Sequence, residues 1–139
     1  MTETLDLNLR ASLDELSRIA SQVEAMGQRE DWPPGLVFRA NLVLEELLVN
    51  FIKHGHDGGV ADFHITVKSE PDRLTIEVVD DGKPFDPVKD APPPVLTGSL
   101  EDRPVGGLGL HFVRSMFDDL RYKRTQGKNH VTLVARRDQ

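Results

Sequence analysis

Apolar positions change their period several times along the chain, and each change marks an element. Residues 3–10 alternate, with Leu5, Leu7 and Leu9 on one side, which predicts a half-buried strand. Ser12 followed three residues later by Glu15 has the spacing of a capping box. Leu13, Leu16, Ile19, Ala20 and Val23 then recur at three and four, predicting an amphipathic helix over 12–28. Gly27 and Trp32-Pro33-Pro34-Gly35 punctuate the chain. The next helix, 35–54, carries apolar residues on nearly every side, which places it in the middle of the domain, and Gly55, Gly58 and Gly59 end it. Phe63, Ile65 and Val67 alternate with polar residues, as do Leu74, Ile76 and Val78, and Pro71-Asp72 between them predicts a hairpin. From Asp80 to Pro104 the chain holds six of its nine prolines and no period, the mark of a functional or disordered loop. Residues 108–117 read as a helix, and 120–124 with 131–135 as a closing hairpin around Gln126-Gly127-Lys128-Asn129. This order predicts an α+β two-layer sandwich in one domain spanning 1–139. Its sheet is expected to be mixed and largely antiparallel, with about five strands covered on one face by three helices.

Composition narrows the function classes. The 139 residues suit one hydrophobic core, and 38% apolar with 29% charged is ordinary for a globular protein. Seventeen Lys and Arg against 23 Asp and Glu leave a net charge of −6, which argues against binding nucleic acid through a broad basic surface. With no cysteine, disulfides, thiolate metal sites and Cys nucleophiles are excluded. No apolar run is long enough to span a membrane, and the N-terminus lacks the regions of a signal peptide, so a cytoplasmic location is expected.

Three stretches carry candidate chemistry. On the second helix Glu46, Asn50, Lys53 and His54 fall on one side at helical spacing. A buried Glu or Asn costs several kcal/mol if unpaired, roughly, so a hydrogen-bonded structural network explains them about as well as a site does. As a site, the Asn50 oxygen is a hard ligand suited to Mg²⁺, Glu46 can orient or deprotonate a nucleophile, and Lys53 can neutralise phosphate. The second stretch is Asp80-Asp81-Gly82-Lys83-Pro84-Phe85-Asp86-Pro87, at a strand end. Alone it reads as turn chemistry, although such an Asp can accept a bond from a base's exocyclic amine while Gly lets the ring approach. The third is Gly106-Gly107-Leu108-Gly109-Leu110 at the start of a helix, where exposed N–H groups can hold phosphate. It follows no strand and lacks the Gly-Lys-Ser/Thr of a P-loop, which sets aside both common nucleotide fingerprints.

Together and in this order, the three stretches resemble the Bergerat-type ATP-binding fold of the gyrase, Hsp90, histidine kinase and MutL (GHKL) superfamily. Over about residues 5–137 the chain is similar to the small bacterial anti-sigma factor/serine kinases typified by RsbW and SpoIIAB. The resemblance implies ATP and Mg²⁺ as cofactors, with Glu46 as catalytic base and Asn50 coordinating the metal between the phosphates. It implies that Asp80 bonds the adenine amino group, with Gly82 beneath the ring and Pro84 and Phe85 alongside. Gly106, Gly107, Leu108, Gly109 and Leu110 would line the phosphates, residues 88–105 would form the ATP lid, and Lys53 and His54 would lie at the nucleotide. Many superfamily members complete the adenine pocket with a Thr near the last hairpin; the nearest matches here are Asn129 and, on the following strand, Thr132. The implied partners are a STAS-domain anti-anti-sigma protein as phosphoryl acceptor, a sigma factor, and a second copy in a homodimer, for which the first helix is one candidate surface.

Three other readings compete. A nucleotide-dependent binding module could sequester a partner without phosphoryl transfer, although Glu46 and Asn50 are both in place. A histidine kinase would need a helical hairpin presenting a phosphoacceptor His, and the ATP-binding module uses the whole chain. A metal-dependent hydrolase built on His54-Gly55-His56-Asp57 has little support, since His64, His111 and His130 are scattered without ligand spacing.

Overall fold

The computed structural model describes residues 2–55, 62–87 and 116–137, with the backbone alone at 54 and 55. Along it run β1 (Glu3–Arg10), α1 (Glu15–Arg29), α2 (Pro34–Asn50), a π-helical turn (Phe51–Gly55), β2 (Asp62–Ser69), β3 (Arg73–Asp80), β4 (Asp119–Thr125) and β5 (Lys128–Arg136). The five strands form one sheet in the order β1-β2-β3-β5-β4. Each alternating pattern reads out directly. Leu7 and Leu9 of β1, Phe63, Ile65 and Val67 of β2, Leu74, Ile76 and Val78 of β3, and Val131, Leu133 and Ala135 of β5 are buried on one face. Ile19, Val23 and Met26 of α1 and Leu36, Ala40, Val43, Leu44, Leu47 and Leu48 of α2 close over them in a single core.

The expected mixed sheet is corrected: all four strand pairings are antiparallel. The cause is which strand of the last hairpin docks. β4 and β5 join through Gln126 (φ 53°) and Gly127 (φ 74°), the pair of positive angles a two-residue type I′ turn needs. β5, the second strand of that hairpin, pairs with β3 from Arg73 opposite Arg136 to Asp80 opposite Asn129. β4 is thereby displaced to the edge. Docking through β4 instead would have put two parallel strands side by side.

The helices also differ in detail. Two α-helices rather than three cover the sheet among the described residues, and of the expected helix over 108–117 only Met116 and Phe117 belong to them. α1 begins at Glu15, not Ser12. Ser12 Oγ accepts from the Asp14 N–H at 3.2 Å, and Glu15 Oε2 reaches back to the Arg10 N–H at 3.3 Å, so the capping side chains brace a turn ahead of the helix. Gly27 does not punctuate but lies inside α1, where a Cβ would fall 2.8 Å from Val37 Cγ2. α2, with Pro34 at its start where no N–H is missed, is not buried all round, for Phe38 is 62% exposed on its outer side.

Candidate functional site

The inward rows of β3 and β5 are apolar until their last positions. Asp80 follows Leu74, Ile76 and Val78 by parity, and Asn129 precedes Val131, Leu133 and Ala135; the two stand directly opposite one another. A sheet face that is dry along its length thus ends in a carboxylate and an amide. Nearby, α2 gives way after Asn50 to the π turn. Such a turn adds a residue to the helical repeat and recurs at functional sites. It lets Phe51, 3% exposed, lie against the Phe63 ring at a centroid distance of 5.3 Å.

Between these elements opens a narrow cleft. Leu47, Phe51, Phe63, Val78 and Val131 supply apolar surface from helix and sheet, and Phe85 and Pro87 from the loop after β3. Its polar residues are Asn50, Asp80, Lys83 and Asn129. A narrow apolar slot with one acid in its wall suits a planar, weakly polar ring that carries a hydrogen-bond donor on its edge.

The acid is held in place. Asp80 Oδ1 accepts from the Gly82 N–H at 3.0 Å and from Asn129 Nδ2 at 2.9 Å. Both bonds fall on one oxygen, which leaves Oδ2 for a ligand. Burial pushes the Asp80 carboxyl above its ordinary value of 3.8, opposed by those two hydrogen bonds and by the charge of Arg124, with Asp81 adding to the rise. The loop itself is pinned at several points. Arg124 Nη1 donates to the Gly82 carbonyl at 2.8 Å, Asp81 Oδ1 accepts from the Asp62 N–H at 3.0 Å, and Asn129 bridges to Lys83 and Phe85.

Not every expected residue gathers here. Asn50 and Asp80 line the cleft, as do Phe85 and Asn129. Gly82 is buried just behind Asp80, whereas Pro84 is exposed and outside the lining. Glu46 sits one turn before Asn50 on α2, half-buried, with Oε2 shielded from solvent. Lys53 lies beyond the change of helical repeat, is exposed and does not line the cleft. Thr132 is corrected outright. It is three residues from Asn129, and odd spacing on a strand puts it on the opposite, solvent-facing side of the sheet with Glu77, Val79 and His130. The side chain of His54, residues 88–105 and Gly106, Gly107, Leu108, Gly109 and Leu110 lie outside the described residues, as do His56 and Asp57.

Sequence reasoning missed Lys83, Tyr122 and Arg124. The last two carried a readable signal. A two-residue turn at Gln126-Gly127 fixes Arg124 opposite Asn129 and Tyr122 opposite Val131, hence on the cleft side.

For a divalent ion, Asn50 offers a hard oxygen and Glu46 a carboxylate one turn away. No group of three or more His, Asp or Glu side chains among the described residues is placed to hold a metal. An ion here would therefore draw most of its ligands from substrate phosphates and water, which is how Mg²⁺ is usually held.

A model of the histidine kinase-like ATPase domain matches residues 9–135. The chain belongs to the histidine kinase-like ATPase family. This ATPase domain is 31% identical over 135 residues to the serine/threonine-protein kinase BtrW of Bordetella bronchiseptica, covering 96% of this chain and 93% of that one. It is 26% identical to an anti-sigma F factor of Thermoanaerobacter, covering 96% and 91%, and 22% identical to the serine-protein kinase RsbW of Bacillus cereus, covering 90% and 80%. Among solved structures its fold matches part of the chain that holds the RsbU and RsbW domains of Rv1364c from Mycobacterium tuberculosis, with a TM-score of 0.69 at 14% identity over 96% of this chain and 32% of that chain. The resemblance to RsbW- and SpoIIAB-type anti-sigma factor/serine kinases is borne out, and with it the reading as a protein serine/threonine kinase. No helix among the described residues of this ATPase domain is long and apolar enough to cross a membrane.

Proposed function

We propose that the chain is an ATP-dependent protein serine/threonine kinase and anti-sigma factor of a partner-switching system, working in the cytoplasm as a single domain and a homodimer. In this reading it binds a sigma factor and phosphorylates a Ser or Thr on a STAS-domain antagonist. The observation that carries the nucleotide assignment is the Asp80 carboxylate, held through Oδ1 at the end of an apolar slot with Oδ2 left over.

Each residue then has a defined task. Asp80 accepts the adenine amino hydrogen, while Phe51, Phe63 and Phe85 exclude water around the ring. Asn50 contributes an oxygen to Mg²⁺, which when bound draws charge off the phosphates. The backbone of Gly106–Leu110 is assigned to the phosphates and 88–105 to the lid. Glu46 takes the proton of the acceptor hydroxyl as that oxygen bonds to the γ-phosphorus and the bond from γ-phosphorus to the β,γ-bridging oxygen breaks, releasing ADP. Phosphorylation adds about two negative charges to the antagonist, and its complex with this acidic protein weakens by repulsion.

Calorimetry with Mg-ATP, run beside Asp80→Asn, tests this reading. The Asn oxygen can keep the bonds from Gly82 and Asn129, which turns an N–H₂ donor toward the adenine amine. Submicromolar to micromolar binding by the wild type that the variant loses supports the site, and radiolabel transfer to a STAS-domain acceptor then tests the kinase. Absence of binding by the wild type sinks the proposal.

A further inference from the structure

We infer that Asn129, anchored by Tyr122, is a positioning residue that makes no hydrogen bond to the nucleotide and sets the preference for a 6-amino purine by fixing which oxygen of Asp80 the base meets. The inference rests on reading the cleft as a nucleotide site. It starts from a count of hydrogen-bonding capacity. A side-chain amide offers two N–H donors and an oxygen with two lone pairs. Asn129 Nδ2 donates to Asp80 Oδ1 at 2.9 Å and to the Lys83 carbonyl at 2.7 Å. Its Oδ1 accepts from the Phe85 N–H at 3.2 Å and from the Tyr122 hydroxyl at 2.6 Å. All four positions are spent inside the protein, and the residue is 3% exposed. Nothing remains with which to bond a ligand.

The same four bonds fix the amide's orientation. Flipping it would face the NH₂ with two donors, Phe85 N–H and Tyr122 O–H, and the oxygen with a carboxylate and a carbonyl. Asn129 therefore presents an N–H to Asp80 and nothing else. Together with the Gly82 N–H it occupies Oδ1, so the carboxylate cannot rotate freely and Oδ2 is the acceptor that a base edge meets. An acceptor in that position bonds the exocyclic amine of adenine and repels the carbonyl that guanine carries at the same place. Tyr122 comes from the edge strand, outside β5, and is the one partner of Asn129 that can be deleted by removing a single atom.

Tyr122→Phe and Asn129→Ser, in the full chain, test the inference through paired affinities for ATP and GTP measured by calorimetry, with thermal unfolding as a check on the fold. The wild type is expected to prefer ATP. Tyr122→Phe is expected to lower the ATP-over-GTP ratio about tenfold by weakening ATP alone, the scale of one buried hydrogen bond, and Asn129→Ser to lower it further. An unchanged ratio in Tyr122→Phe, or equal loss for both nucleotides, means that the pair only supports the fold and overturns the inference while leaving the nucleotide site standing. If Asn129→Ser does not fold, Tyr122→Phe decides the matter. Binding of neither nucleotide by the wild type removes the cleft assignment itself, and the inference with it.

Discussion

Arg124, on the outermost strand, donates Nη1 to the carbonyl oxygen of Gly82 at 2.8 Å and so ties β4 to the loop that follows β3. β5 lies between those strands, and the arginine reaches across its end. The charge of this side chain also pulls the Asp80 carboxyl downward. Arg124→Met keeps the aliphatic stem and deletes both effects. Because the residue is exposed, the expected loss is about 1 kcal/mol, a fivefold weaker ATP affinity, with a change in melting temperature of only a few degrees. Calorimetry beside a melting curve checks it, and wild-type affinity in the variant would show that the strap does not position the loop.

The raised pKa of Asp80 gives ATP binding a pH dependence of known sign. Both donors sit on Oδ1, so protonation falls on Oδ2 and converts the acceptor that faces the base into a donor. ATP affinity is expected to fall as pH drops through a value above the ordinary 3.8. The charged groups nearby act in both directions: Asp81 raises the midpoint, Arg124 lowers it, and Lys83 lines the same cleft. Folding stability runs the other way. A carboxyl with a raised folded-state pKa favours the folded state below its unfolded pKa and loses that contribution as pH rises through the folded one. Affinity measured against pH for the wild type and Arg124→Met, with the midpoint moving upward in the variant, checks the assignment. A midpoint that stays put would separate the dependence from Asp80.

Glu46→Gln is expected to leave ATP binding nearly intact and to lower phosphoryl transfer at least a hundredfold, the usual scale for losing a general base. The amide keeps the shape of the side chain but cannot take the acceptor's proton. Single-turnover transfer from labelled ATP to a STAS-domain acceptor measures it. Surviving transfer would move the base elsewhere, and lost ATP binding would make Glu46 a structural residue.

Four strands were legible because β1, β2, β3 and β5 each bury one face, so apolar residues recur at every second position, as in Leu5, Leu7 and Leu9 or Leu74, Ile76 and Val78. Asn50, Asp80 and Phe85 were legible as candidates through motif order. What period and motif could not supply was contact between strands distant in sequence. The choice of β5 over β4 as neighbour of β3 depends on packing after the long loop, and it alone brings Asn129 opposite Asp80. The saturation of the Asn129 amide needs Tyr122, Lys83 and Phe85 in place together, three residues with no common spacing. The π turn was equally hidden, since Phe51 and Ile52 continue an apolar helical pattern whose repeat changes beneath it.

Gly27 offers a test of the packing that sets α1 against α2. A Cβ there would fall 2.8 Å from Val37 Cγ2 and 3.2 Å from Trp32 Cε3. The indole cannot swing aside cheaply, because Trp32 Nε1 donates to the buried Ser69 Oγ at 2.9 Å and that hydroxyl donates on to Glu30 Oε1 at 2.9 Å. Gly27→Ala gains about 1 kcal/mol in helix propensity but incurs about 1–3 kcal/mol of overpacking. The expected net result is a protein destabilised by up to about 2 kcal/mol, against the usual benefit of alanine in a helix. Val37→Ala removes the nearest obstructing methyl, so the double variant should be more stable than the sum of the single changes predicts, by about 1 kcal/mol. ATP affinity should not follow, since neither residue lines the cleft. Denaturant titration of the four proteins in this cycle measures the coupling. Strict additivity would mean that α1 moves to admit the methyl group and that the close approach at Gly27 does not set the helix pair.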